Sequence, residues 1–96
     1  MVQIIWLKSA KNDLRDIYDY ISKDSRRYAK QQVQRIQSTS EIIKSNIEIG
    51  RVVPELANSS VREVFERNYR IIYRIIDIET IHIIFVHHSA RQFPRV

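Results

Sequence analysis

Two hydrophobic periods divide the chain. Ala10, Leu14, Ile17, Tyr18 and Ile21 recur at helical spacing, and Asp13, Asp16, Asp19, Lys11 and Arg15 share the other positions. This pattern predicts a short amphipathic helix, capped by Ser9 and ending near Lys23. A second stripe runs Ala29, Val33, Ile36, Ser40, Ile43 and Ile47. It predicts one long helix, capped by Asp24 or Ser25 and closed by Gly50 in a left-handed C-terminal cap. The tight connection between the helices predicts an antiparallel hairpin whose joint stripe must cover an apolar surface.

The remaining pattern is that of strands. Gln3 to Leu7 places Ile5 and Leu7 on one face and Ile4 and Trp6 on the other. Arg51 to Ser60 reads as a loop. Val61–Glu66 and Tyr69–Ile76 are rich in β-branched and aromatic residues and are separated only by Arg67 and Asn68. A two-residue hairpin turn, with Asn68 suited to a left-handed backbone, fixes the register. Glu66 faces Tyr69, Phe65 faces Arg70, Val64 faces Ile71, Glu63 faces Ile72 and Arg62 faces Tyr73. Val64, Ile71, Tyr73 and Ile75 then form a core face. Phe65, Arg70, Ile72, Arg74 and Glu63 form the other. After a turn at Asp77-Ile78-Glu79 comes the apolar strand Thr80 to His87. Pairing Ile75 with Ile81 predicts Ile83 and Phe85 in the core, and His82, Ile84, Val86 and His88 beside Arg70 and Arg74. The tail from Ser89 reads as irregular. The predicted fold is α+β in two layers: a strand, a helix hairpin and a three-stranded meander, with the helices on one face of a mostly antiparallel sheet.

Composition narrows the classes. The 96 residues suit one domain, with 44% hydrophobic and 28% charged residues, as in ordinary globular proteins. There is no cysteine, which excludes disulfides, thiolate nucleophiles and cysteine-ligated metal. No secretory leader pattern and no membrane-length apolar run of about 20 residues is present. The expectation is a cytoplasmic protein without a membrane role. The net charge is +5, and beyond Lys44 every basic side chain is arginine: Arg51, Arg62, Arg67, Arg70, Arg74, Arg91 and Arg95. Arginine keeps its charge when half-buried and matches carboxylate and phosphate. The basic balance serves solubility, and it equally suits a nucleic acid or an acidic protein.

No P-loop, dinucleotide glycine motif, zinc motif or nucleophile elbow occurs. His87-His88 is not a metal spacing, because adjacent strand residues face opposite ways, so no metal or cofactor is expected. The Arg70 face remains. An arginine and a histidine in one cleft can serve phosphoryl chemistry, and Glu63, diagonal to Arg70 and Arg74, can equally pair with them across the strands. Phe65, Ile72, Ile84 and Val86 on an open face would form a patch that monomers rarely expose. An acidic and apolar partner segment would match it.

With these residues in view, the chain resembles the RelE/ParE superfamily of toxins from type II toxin–antitoxin modules. The likeness spans nearly the whole length and rests on IIWLKSAKNDLRDIYDYI, GRVVPEL, VREVFERNYRIIYRI and IIFVHHSAR. It implies a RelE-like fold and a cytoplasmic growth inhibitor in a plasmid-stabilisation type of module. A cognate antitoxin would hold it inactive, in a toxin–antitoxin hetero-oligomer. One branch of the superfamily cuts messenger RNA on the ribosome, and the ParE branch poisons DNA gyrase. For the ribonuclease branch, the resemblance matches Arg70 to the catalytic central-strand arginine and Glu55 to a loop glutamate; His88, which sits slightly before the family's terminal histidine, is a candidate helper. For target or antitoxin binding, the apolar and basic face nominates Arg62, Phe65, Arg70, Ile72, Arg74, Ile84 and Arg91. No lysine follows Lys44 and no tyrosine follows Tyr73, which leaves the ribonuclease set incomplete. The ending VHHSAR is closer to ParE. A degenerate toxin, folded and antitoxin-binding without activity, is a third reading.

Overall fold

The computed structural model describes residues 1–91 and 93. Strand β1 (Gln3–Trp6) leads into helices α1 (Lys8–Ser22) and α2 (Arg26–Ser40), and a 3-10 turn follows at Glu41–Lys44. Strands β2 (Arg51–Val52), β3 (Val61–Glu66), β4 (Tyr69–Asp77) and β5 (Thr80–His88) complete the order. Among the described residues the strands form one sheet in the order β1-β5-β4-β3-β2. β1 pairs with β5 in parallel, and the other neighbours are antiparallel. The α+β two-layer fold is as expected. The two-residue β2 lies inside what reads as a loop.

The hairpin register is the one that its turn length predicts, from Glu66 opposite Tyr69 to Arg62 opposite Tyr73. The left-handed turn residue is Arg67 (φ 54°), not Asn68. Helices cover the face of Val64, Ile71 and Tyr73. Ala10, Leu14, Ile36, Ile43, Ile71, Ile81 and Ile83 pack into the main core there, with Ile4 and Trp6 against it.

Helix α2 stops ten residues before Gly50, although the apolar stripe continues. The run Ser38-Thr39-Ser40 supplies side chains that compete for backbone groups, and Ser40 Oγ donates to the Gln37 carbonyl at 2.6 Å. A 3-10 turn then keeps Ile43 buried. At the N-terminal end, Ser25 does cap α2, accepting from Tyr28 N at 3.1 Å. Gly50 is not left-handed. It lies flat against Tyr73, whose hydroxyl accepts from Gly50 N at 3.0 Å and donates to the Ile47 carbonyl at 2.8 Å. A Cβ at Gly50 would stand 2.6 Å from the Glu63 carbonyl oxygen and 2.8 Å from the Tyr73 ring. Close approach, not φ, is the reason for glycine here.

The largest departure is a bulge in β5. Ile72 pairs with Phe85 but Tyr73 pairs with Ile83, so Ile84 is an extra residue. From that point every side chain changes face. Val86 joins the helix-side core, whereas Phe85 turns to the opposite face with Ile84. His88, opposite Tyr69, lies on the helix side, and His87, opposite Arg70, takes the place expected of His88. The cause lies in α1. β1 ends opposite Ile83, so the outer edge of β5 loses its strand partner there. Ser9, inside the first turn of α1 and not at its cap, donates its hydroxyl to the Ile84 carbonyl, and Asp13 Oδ2 accepts from Val86 N at 2.9 Å. Two helix side chains thus replace a missing strand.

The face away from the helices is not open throughout. Val53 and Val61 bury Ile72 completely, with Leu56, Ile84, Phe85 and Phe93 against them. Of the tail, Ser89 to Arg91 and Phe93 are described; Arg95 lies outside the described residues.

Candidate functional site

Beside this small cluster, the same face carries a buried ionic network. Glu63 stands mid-strand on β3 with its side chain wholly buried, and Arg70 stands on β4 with its side chain one-tenth exposed. They are diagonal neighbours across the strands, and Arg70 Nε donates to Glu63 Oε1 at 2.6 Å. Arg51, the first residue of β2, is the Cα partner of Glu63 and donates its Nε to Oε2. The turn after β2 brings Glu55 over Arg70, which donates through both terminal nitrogens to Glu55 at 2.8 Å each. A bidentate arginine–carboxylate pair of this kind is among the strongest side-chain contacts. The hydrogen bonds from Arg70 hold the Glu55 carboxyl down to about 2. Those from Glu55, with Glu63, hold the Arg70 guanidinium above its usual range.

Aromatic rings close the flanks. The Arg70 guanidinium lies 4.7 Å from the centroid of Phe93, and that of Arg51 lies 5.1 Å from Phe65. His87 is buried, 5.3 Å from Phe93, and neither ring nitrogen has a hydrogen-bond partner among the described residues.

Arg70 and Glu55 therefore meet, but His88 does not join them. It lies across the sheet, stacked edge-on against Tyr69 at 5.1 Å. Ile72 is fully buried and presents nothing to a partner, and Ile84 is half-covered in the same cluster. Val86, expected on this face, is core. Phe65 is 48% exposed. Arg74 is exposed, lies opposite Val61 and His82, and makes no ion pair among the described residues. Arg62 is on the helix side, where it clamps the chain after the 3-10 turn by donating to the carbonyls of Glu48, Gly50 and Ser59. Arg91 is exposed beyond β5.

Two residues of this face escape a reading of the sequence. Arg51 stands in a stretch with no strand pattern. His87 is assigned its face by the bulge. The signal that was available is Glu63, a carboxylate among β-branched neighbours, which needs charged or N–H partners for both oxygens when buried.

Among the described residues, no group of histidine and acidic side chains could hold a metal ion, and no helix is long and apolar enough to cross a membrane. No sequence among the curated proteins matches the chain. Among solved structures, a chain from the "Chromosomal ParDE TA system from P. aeruginosa" shares the fold with a TM-score of 0.74 and 24% identity, over 92% of this chain and 96% of that one. The family model described as "ParE toxin of type II toxin-antitoxin system, parDE" matches residues 4–93. The chain thus belongs to the ParE toxin family of type II toxin–antitoxin systems.

Proposed function

We propose that residues 1–96 act as one toxin domain in the cytoplasm, poisoning DNA gyrase, and that a cognate antitoxin holds it inactive. One observation supports the choice of gyrase over messenger RNA: of the groups named for phosphoryl chemistry, Arg70 and Glu55 are engaged with each other and His88 is absent from the site. Both terminal nitrogens of Arg70 are engaged by Glu55, and its Nε by Glu63. Glu55, with its carboxyl near 2, is a poor proton acceptor, and His88 lies across the sheet. A gyrase poison needs a binding surface and no proton relay. The antitoxin reading is supported by the toxin–antitoxin system named for the P. aeruginosa structure. It is supported too by the exposed Ile42, Ile49 and Phe65, which line one groove with Arg51. An acidic and apolar segment matches that groove.

Induced expression should stop growth with DNA damage and filamentation while messenger RNA stays intact, and purified toxin should trap gyrase-cleaved DNA. Codon-positioned cuts in translated messages, lost in a folded Arg70→Ala variant, would move the protein to the ribosome-dependent ribonuclease class. One observation favours that second reading. His87 stands opposite Arg70 in register, buried and without hydrogen-bond partners among the described residues. A His87→Ala variant that abolished such cuts would establish it. Unimpaired growth with soluble, folded protein would indicate an inactive antitoxin-binding relative.

A further inference from the structure

On the helix side, where β5 runs out, a pocket of about 280 Å³ lies between α1 and the strand ends. The ionic network, on the opposite face of the sheet, does not use it. Asp13, Asp16 and Tyr20 are spaced three and four residues apart along α1, so they project from one stripe of the helix. Tyr69 and His88, stacked edge-on, line the sheet side, and Arg91 stands at the margin.

The lining combines three chemistries. Asp13 is half-buried; its Oδ2 accepts from Val86 N at 2.9 Å, and it makes no ion pair among the described residues. Burial pushes its carboxyl above the usual range. A desolvated carboxylate of this kind wants N–H donors. Tyr20, Tyr69 and His88 supply flat rings, and Tyr20 is 67% exposed. His88 Nδ1 accepts from Ala90 N at 3.1 Å, which leaves Nε2 as the donor of the neutral ring. Arg91 is exposed and has no ion pair among the described residues. Acceptor, rings and cation together suit a nucleotide: donors on a base for Asp13, a flat face for the tyrosines, a phosphate for Arg91. Among the common bases only guanine presents two adjacent donors, N1–H and the exocyclic amino group, to a carboxylate.

We propose that this pocket binds a guanine nucleotide, free or within single-stranded nucleic acid. An arginine side chain from a protein partner offers a similar donor pair, and Asp16 favours its charge, but it leaves Arg91 without the anion that a nucleotide supplies. The nucleotide is therefore the better match.

The test is an NMR titration of the full-length toxin with GMP, AMP, CMP and UMP. GMP should shift resonances along Asp13–Tyr20 and Tyr69–Arg91 and bind at least about tenfold tighter than the others. Asp13→Asn should erase the preference. Because Asp13 also anchors Val86, the exposed Arg91→Ala and Tyr20→Ala variants carry the test if Asp13→Asn unfolds. Each should weaken GMP by about tenfold. A thymidine oligonucleotide holding one guanine identifies the source: tighter binding than GMP means single-stranded nucleic acid, and equal binding means the free nucleotide. Equal affinity for all four nucleotides, no shift at millimolar GMP, or tighter binding of N-acetyl-arginine amide would each overturn the proposal.

Discussion

The two faces of the sheet bury their contents by different physics. On the helix side, Ile36, Ile43, Ile71, Ile81 and Ile83 are wholly buried among apolar neighbours. On the other side, a much smaller apolar cluster around Ile72 adjoins Glu63, which is just as inaccessible but charged. The first arrangement needs only shape, since dispersion and water exclusion act without direction. The second needs partners at fixed angles. Glu63 is held by Arg70 and Arg51, Arg70 by Glu55, and each depends on the next. One face is a scaffold that tolerates exchange of similar volumes. The other is a constellation whose members are each oriented by a neighbour at a fixed angle.

The comparison implies a ranking of lesions. Ile71→Ala should have the largest effect, roughly 2–5 kcal/mol of unfolding free energy, because the rigid helix layer cannot collapse into the cavity. Ile72→Ala, equally buried but roofed by the turn that carries Val53 and Leu56, should fall at the lower end of that range. Equal losses at the two positions in urea unfolding would show that the roof is as rigid as the helices. Arg70→Ala should cost about 3 kcal/mol, the low end for breaking a buried pair, since Arg51 still holds Glu63. Arg70→Lys should recover little of it, because an ammonium cannot fork to Glu55 and reach Glu63 at once. Full recovery by lysine would reduce the network to simple charge balance.

The hairpin was legible because a two-residue turn leaves one register, and that register sorts apolar from mixed positions. The bulge was not. Ile81 to Val86 holds apolar residues in both phases, so the pattern looks acceptable with or without an extra residue. The choice is made by Ser9 and Asp13, far away in sequence, through single hydrogen bonds to Ile84 and Val86. Local periodicity cannot register such contacts. The consequence reached the candidate site directly, since it exchanged His88 for His87 beside Arg70. The end of α2 was hidden for a related reason. A 3-10 turn keeps Ile43 facing the core, so the stripe continues after the helix has stopped. Arg70 with Glu63 was within reach of the sequence, as cross-strand diagonals on one face. Arg51 was not, because a two-residue strand has no period.

Gly50 couples the two faces at one point. Its amide donates to Tyr73, on the helix side, and its missing side chain leaves room for the Glu63 backbone. Gly50→Ala should cost about 1–3 kcal/mol through overpacking, with the Tyr73 ring forced to move. The displaced carbonyl belongs to Glu63, so the change should also disturb the Arg51 contact on the far side. Thermal unfolding and the Tyr73 ring resonances would measure both. A shift in Tyr73 with no change around Arg51 would separate the faces more completely than the close approach suggests.

The smallest effect concerns Glu55, and acid resolves it. Its carboxyl is held at about 2 against an ordinary 4.5, chiefly by the hydrogen bonds from Arg70. A group whose value is depressed on folding contributes stability above its unfolded value and loses that contribution as the pH falls toward the folded one. The Glu55 contribution is therefore complete above about 5, declines through the interval from 4.5 to 2, and is absent below it. The side chain is 39% exposed, so water and salt screen the pair and the amplitude should be modest. Glu55→Gln should unfold slightly more easily than the natural chain at pH 6, and the gap should narrow toward pH 2.5 and close below about pH 2. Glu63, enclosed on the same network, remains in both chains, so the difference between their curves isolates the exposed member. A constant gap from pH 6 to pH 2.5 would mean that the Glu55 contribution comes from the turn over Ile72 and not from its charge. Arg70 would then be held by Glu63 alone.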